Sequence, residues 1–305
     1  MNLHLLRIFT AVAEHRSFSR AASSLFISQP AVSKAVRQLE HQLDLALIER
    51  GAAGTRGMRG VRLTESGQAL FEHARGIFAL ERAATDEVRA RVGLKRGRLV
   101  IGASTTIAGY WLPRYVAQFA RQVPAAELQI RVGNTQTVGR ALVDCEIDLA
   151  LVEGQVHDER IVATHWRDDE LHIIAHPEAR FARRRPATLA ELNAEAWLLR
   201  EPGSGTREVT DRVMRAERIE PERTVEFGSN EGIARAVAAG LGVAMLPARV
   251  VRELMRMEEV RVLTLAHAGA TSLLRPLYLL QLRARPPSPL AREFCGLLSH
   301  ALESH

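Results

Sequence analysis

The chain has 305 residues, 47% of them hydrophobic, which is enough apolar material for two or three folding units and excludes a disordered chain. Its net charge of +6 is unevenly placed: residues 1–98 hold 16 Lys+Arg against 9 Asp+Glu, whereas residues 99–305 hold 25 against 26. An excess confined to the first third is expected where one segment meets a polyanion, although a solvated basic surface has the same charge. Cys145 and Cys295 lie far apart without CxxC spacing, which argues against a disulfide framework or zinc site and for core packing in a reducing compartment. No run approaches the ~20 apolar residues of a membrane span, and His4, Arg7 and Thr10 interrupt any signal peptide. A cytoplasmic protein without a membrane partner is expected.

Leu5, Leu6, Phe9, Val12 and Ala13 recur at helical spacing and predict a first helix ending near His15. A second starts at Ser17 or Phe18 and turns Ala21, Ala22 and Leu25 inward. Ser28 then suits an N-cap and Pro30 a first turn, where its missing N–H costs nothing. The third helix buries Val32, Val36, Leu39 and Leu43, leaving Ser28, Gln29, Ser33, Lys34, Arg37 and Gln38 outside. Gln29, Ser33 and Arg37 have the donors and acceptors that read base edges, and Lys34 and the Ser28 hydroxyl suit phosphates. An ordinary solvated helix face has the same pattern, and helix-turn-helix geometry also occurs in proteins that bind no DNA.

The stretch from Leu5 to Thr64, with Ala21-Ala22, Ser28-Gln29-Pro30-Ala31-Val32-Ser33, Leu39-Glu40 and Val61-Arg62-Leu63-Thr64-Glu65-Ser66-Gly67, closely resembles the winged helix-turn-helix of LysR-type transcriptional regulators. The resemblance implies an α/β chain with an N-terminal winged helix-turn-helix over 1–63, a linker and dimerisation helix over 64–93, and a two-lobed, Rossmann-like (periplasmic-binding-protein-like) effector domain over 94–305. Lobe I is expected at about 94–161 and 268–305, and lobe II at about 162–267. Double-stranded DNA, a small-molecule effector and a second or fourth copy of the chain are the implied partners, with RNA polymerase a further one; no cofactor is implied. Carried over residue by residue, DNA contacts fall on Ser28, Gln29, Pro30, Ser33, Lys34, Arg37, Arg50 and Arg62. The chain departs from the family pattern at the wing, where Gly51 to Gly60 is longer by several residues and adds Arg56 and Arg59 as candidate phosphate or minor-groove contacts. Ile48 stands where an aromatic is usual.

From Thr64 to Val92 a single helical pattern places Leu70, Ala74, Ile77, Ala84 and Val88 on one stripe, to be buried by a second copy or by the helix's own domain. Gly93 to Gly97 ends it. Strands and helices then alternate, which implies a parallel sheet covered by helices, with ligand sites at the carboxyl ends of strands. Ser104, Thr105, Thr106, Asn134, Thr135 and Glu153 occupy such ends. A second sheet is expected from Ile161 through Ile174, with Gly-rich turns opening helices at Ser204-Gly205-Thr206-Arg207 and at Ser229-Asn230-Glu231. Helix N-termini facing hydroxyls across a cleft are suited to a small anion, though Gly-Ser-Gly also occurs wherever a chain must turn. Gly102 to Ile107 is similar to family members governing inorganic sulfur or carbon assimilation. HExxH, GxSxG and P-loop motifs are missing, so no catalytic residues are expected and a two-lobed enzyme fused to a DNA-binding module is the lesser alternative. His165, His172 and His176 do not have the spacing of a helical metal pair, and the four arginines between Arg180 and Arg185 suit a solvated loop.

Overall fold

The computed structural model describes residues 1–49, 60–91, 97–154, 156–179, 186–264 and 273–300. The chain divides into two compact units, Met1–Arg82 and Ala83–His305. Arg50, Arg56 and Arg59, the wing between them and the arginines of 180–185 lie outside the described residues.

The first unit is built from α1 (Leu3–His15), α2 (Phe18–Leu25), α3 (Gln29–Leu43) and the start of α4 (Glu65–Arg91). Side chains cap the first three: Asn2 accepts from the His4 N–H, Ser17 from Arg20 and Ser28 from Ala31. Each of these helices is stopped by a left-handed residue, Arg16, Phe26 and Asp44. Leu6, Phe9, Val12, Ala21, Val32 and Leu39 are fully buried together, and each large member contributes about 1.5–3 kcal/mol by leaving water. This core holds α3 at a set angle, with its polar face outside.

The motif residues after α3 have structural work. The Glu40 carboxylate accepts from the Leu47 and Ile48 N–H groups (2.8 and 3.2 Å). Ile48 and Leu63 form an antiparallel bridge at the base of the wing. The Thr64 hydroxyl donates to the Ala46 carbonyl (2.7 Å) and accepts from the Gly67 N–H (3.0 Å), which caps α4. A Cβ at position 67 would lie 2.0 Å from the Leu47 carbonyl oxygen, so only glycine fits. Along α4 the expected stripe divides: Ala74 is buried and Leu70 and Ile77 pack on the first unit's core, while Ala84 and Val88 are exposed.

In chain order the second unit runs β1 (Gly97–Ser104), α5 (Leu112–Gln122), β2 (Ala126–Gly133), α6 (Thr135–Val143), β3 (Leu149–Glu153), β4 (Ile161–Ala175), α7 (Leu189–Ala194), β5 (Ala196–Arg200), α8 (Gly205–Glu217), β6 (Arg223–Phe227), α9 (Asn230–Ala238), β7 (Ala244–Pro247), α10 (Ala248–Arg256), β8 (Arg261–Val262), β9 (Leu274–Leu282) and α11 (Pro289–His300). One sheet has the order β2-β1-β3-β9-β4-β7, with β8 also on β4, and β5 pairs with β6. The parallel sheet expected from the alternation of strands and helices is present among β1, β2 and β3, and the strands that follow add antiparallel pairings. β1–β2, β1–β3 and β5–β6 are parallel, but β9 is antiparallel to both β3 and β4, and β4 to β7 and β8. A chain that crosses to a second lobe and returns must traverse the junction once in each direction, and β4 and β9 are those two passages. β4 pairs with β9 up to Glu170 and with β7 from Leu171 on, and a bulge at Trp166 shifts its register. Helix α8 starts at Gly205, inside the Gly-rich turn expected to open it, and β6, β8 and α10 were not expected.

Candidate functional site

Two sites emerge, one on each unit. On the first, Ser28, Gln29, Pro30, Lys34 and Arg37 are exposed on the N-terminal half of α3 and Ser33 is half-buried beside them. The Arg37 guanidinium donates to the Ser33 hydroxyl (3.1 Å), which aims it along the helix toward Gln29. From Gln29 to Arg37 the helix rises about 12 Å, a span comparable to the width of a major groove. Arg62, exposed at the wing base, extends the positive face.

On the second unit the ends of β1, β2 and β3 meet those of β5 and the starts of α8 and α9. Ser104 is buried and its hydroxyl accepts from the Ile107 N–H (3.3 Å), closing the turn before a π-helical stretch, Ile107–Trp111. Thr105 and Thr106 reach across: the Thr105 hydroxyl accepts from Arg200 Nη1 (3.2 Å) and that of Thr106 from Asn230 Nδ2 (2.8 Å). Asn134 caps α6 through Oδ1, and its Nδ2 donates to the Glu201 carboxylate (3.2 Å). The Thr135 hydroxyl donates to the Glu153 carbonyl (2.8 Å). Opposite, Ser204 is buried at the start of α8, and Gly205 packs so closely on Glu153 that a Cβ would come within 2.5 Å of its carbonyl oxygen. Thr206 accepts from Arg275 Nη1 (2.8 Å) and Asn230 Nδ2 (3.4 Å). Two predicted residues stand apart from this junction. Arg207 is held by Asp211 and the Arg200 carbonyl, and Glu231 is exposed near Tyr110, whose hydroxyl is pushed above its ordinary range by burial and by the Glu231 charge.

Beneath the junction lies a buried ion cluster. Arg275, 0% exposed, donates Nε and Nη2 to Asp169 Oδ2 (3.0 and 2.7 Å) and stands 3.4 Å from Glu153. Two carboxylates therefore share one guanidinium. Burial pushes the Asp169 carboxyl above its ordinary range by more than Arg275 pulls it down, and Glu153 adds to the upward push. At this junction Asn230 Oδ1 is buried with no hydrogen-bond donor among the described residues.

Against this geometry, the comparisons are specific. Residues 3–68 match the bacterial regulatory helix-turn-helix of the lysR family and residues 93–303 match the LysR substrate binding domain. The chain belongs to the LysR family of transcriptional regulators. The regulator is 32% identical over 277 residues to CysL of Bacillus subtilis, covering 91% of this chain and 90% of that protein. It is 34% identical over 303 residues to CfxR of Cupriavidus necator, covering 99% and 93%. The regulatory domain of CcmR from Synechocystis PCC6803, solved in complex with 2-PG, superposes with a TM-score of 0.61 at 26% identity, over 68% of this chain and 97% of that one.

Sequence reasoning missed the charged residues of this LysR-type cleft: Arg200, Glu201, Arg275 and Asp169. Arg200 follows the buried run Ala196 to Leu199 and is itself buried, a charge at the end of an apolar strand that signals an internal partner. It also missed Trp111, which Arg249 covers at 3.7 Å from the ring centroid.

Proposed function

We propose that this LysR-type regulator reads operator DNA with paired α3 helices and tunes transcription through a small anionic metabolite bound between its lobes. On this reading residues 1–63 form the DNA-binding domain, 64–93 the linker helix through which two or four copies associate, and 94–305 the effector domain, working in the cytoplasm with RNA polymerase. Ser28, Gln29, Pro30, Ser33, Lys34, Arg37 and Arg62 take the duplex, with Arg50, Arg56 and Arg59 extending the contact through the wing. Thr105, Thr106, Asn134, Thr206 and Asn230 line the effector site; Ser104, Thr135, Ser204 and Gly205 shape it.

The observation that carries the effector reading is the cleft junction itself, where hydroxyls, a buried guanidinium and the orphaned Asn230 Oδ1 converge between two lobes. The 2-PG held by the CcmR regulatory domain fits the same preference for an anion. Fluorescence anisotropy on a duplex from the regulator's own upstream region, compared at fixed salt with a shuffled duplex, tests the DNA reading. At least tenfold tighter binding to the upstream duplex is expected, with a change in that ratio or in melting temperature on adding 2-PG or a related acid. Equal affinity for both duplexes refutes the first half. Binding and melting unmoved by every small anion tried refute the second.

A further inference from the structure

Arg200 and Glu201 are neighbours in sequence, yet their side chains clasp each other at the junction of the lobes. The Arg200 Nε and Nη2 donate to the two oxygens of Glu201 at 2.7 and 2.8 Å, the two-pronged geometry in which a guanidinium takes a free carboxylate or phosphate. The partners differ in freedom. The Arg200 side chain is 3% exposed and further held by Thr105, whereas that of Glu201 is 24% exposed. Burial alone would push the Glu201 carboxyl up, but hydrogen bonds from Arg200 and Asn134 and the arginine's charge outweigh it, so the group is held below the ordinary range and ionised.

We infer that the Glu201 carboxylate is a built-in stand-in for the acidic group of the effector, which displaces it and docks an oxyanion, carboxylate or phosphate, on Arg200. The inference rests on the cleft reading above and names its anchor and the class of its ligand. Asn230 supports it from the other side of the Thr105-Thr106 dipeptide: its Nδ2 is spent on Thr106 and Thr206 while the buried Oδ1 awaits a donor. An effector bearing a hydroxyl near its acidic group satisfies both Arg200 and Asn230. The displacement also signals. The Asn134 Nδ2 on α6 bonds the same Glu201 carboxylate, so drawing Glu201 away from Arg200 disturbs one of the hydrogen bonds that join the lobes. While Glu201 occupies the anchor, only the fraction of molecules with an open Arg200 binds, and apparent affinity falls in proportion.

The test is calorimetric titration of the full chain and its Glu201→Gln, Arg200→Gln, Arg200→Lys and Arg200→Gln/Glu201→Gln variants with inorganic phosphate and, separately, acetate at constant ionic strength. Thermal melts without ligand confirm that each is folded. Glutamine keeps the shape and the acceptor for Asn134 but no longer competes as an anion. The expected result is that Glu201→Gln binds at least one of the two anions about tenfold or more tighter than wild type, that the gain disappears in the double variant, and that lysine at 200 weakens binding without removing it. A gain for phosphate or for acetate identifies the head group. If Arg200→Gln abolishes anion binding but Glu201→Gln binds no tighter than wild type, the cleft reading stands and the stand-in role is overturned. If the gain persists without Arg200 the anchor is overturned, and if no folded variant takes up either anion, both readings fail.

Discussion

Replacing Arg275 by methionine isolates the buried ion cluster from every exposed interaction. The side chain is 0% exposed, and Asp169 and Glu153 beside it are only 2% and 4% exposed, so neither carboxylate can recover its lost partner from water. Breaking a buried pair from one side costs about 3–5 kcal/mol, because the surviving charge stays buried. In a unit of this size each kcal/mol moves the melting temperature by about 2–4 °C, so a drop of roughly 6–20 °C is expected. The assay is tryptophan fluorescence. The chain's three tryptophans, Trp111, Trp166 and Trp197, all lie in the second unit, so the signal follows that unit alone. The pH dependence is a second check. Burial already holds the Asp169 carboxyl above its unfolded value, and without the downward pull of Arg275 it rises further, so the stability of its protonated form is present at low pH and lost as pH rises through the raised value. The gap between variant and wild type should be widest at pH 7 and narrow toward pH 5. A loss below about 1 kcal/mol, or a gap equal at both pH values, refutes the account.

Gly205→Ala, forced against the Glu153 backbone, should lower stability by about 1–3 kcal/mol in the same fluorescence assay, and an unchanged melt would mean that α8 does not need its close approach. On DNA, Gln29→Ala should cost about 1–3 kcal/mol on the upstream duplex and nothing on a shuffled one. Lys34→Ala should weaken both and lower the salt slope by about one, and the reverse pattern would exchange their roles. Burial pushes the Cys295 thiol up to about 11, leaving about one molecule in a thousand as thiolate at pH 8. Iodoacetamide at that pH should therefore spare Cys295 until the protein unfolds, and mass spectrometry showing early modification of Cys295 would contradict its burial.

Much of the first unit was legible because its signals are local. Ser17 and Ser28 are caps readable from residue type, and the apolar spacing from Val32 to Leu39 defines which face of α3 is left outside. The stripe on α4 was only half legible, since a period says which residues share a face and not what covers it: Ala74 meets its own unit and Val88 meets solvent. In the cleft, hydroxyls at strand ends were identifiable from the alternation of strands and helices. Arg275 and Asp169 were not, because each looks like an ordinary polar residue at a strand position until register places them opposite each other on β9 and β4. Helix α10 was hidden for a different reason: Pro247 closes β7 and opens the helix at once, so the strand signal masked the start.

The bulge at Trp166 has a consequence for how this protein can vary. In a regular strand, consecutive side chains alternate between faces. Here His165 pairs with Tyr278 and Arg167 with Leu277, so one extra residue is absorbed between them. Trp166 packs in the core of the first lobe, and beyond it Arg167 covers the same ring while Asp169 and Leu171 follow on alternate positions into the second. The bulge thus works as a parity correction, without which seating Trp166 would turn Asp169 away from Arg275. Substitutions along β4 act one position at a time, but a single-residue insertion or deletion near the bulge reverses the facing of everything downstream. Residue count, more than residue identity, is what descendants of this chain must conserve between Ile161 and Ala175.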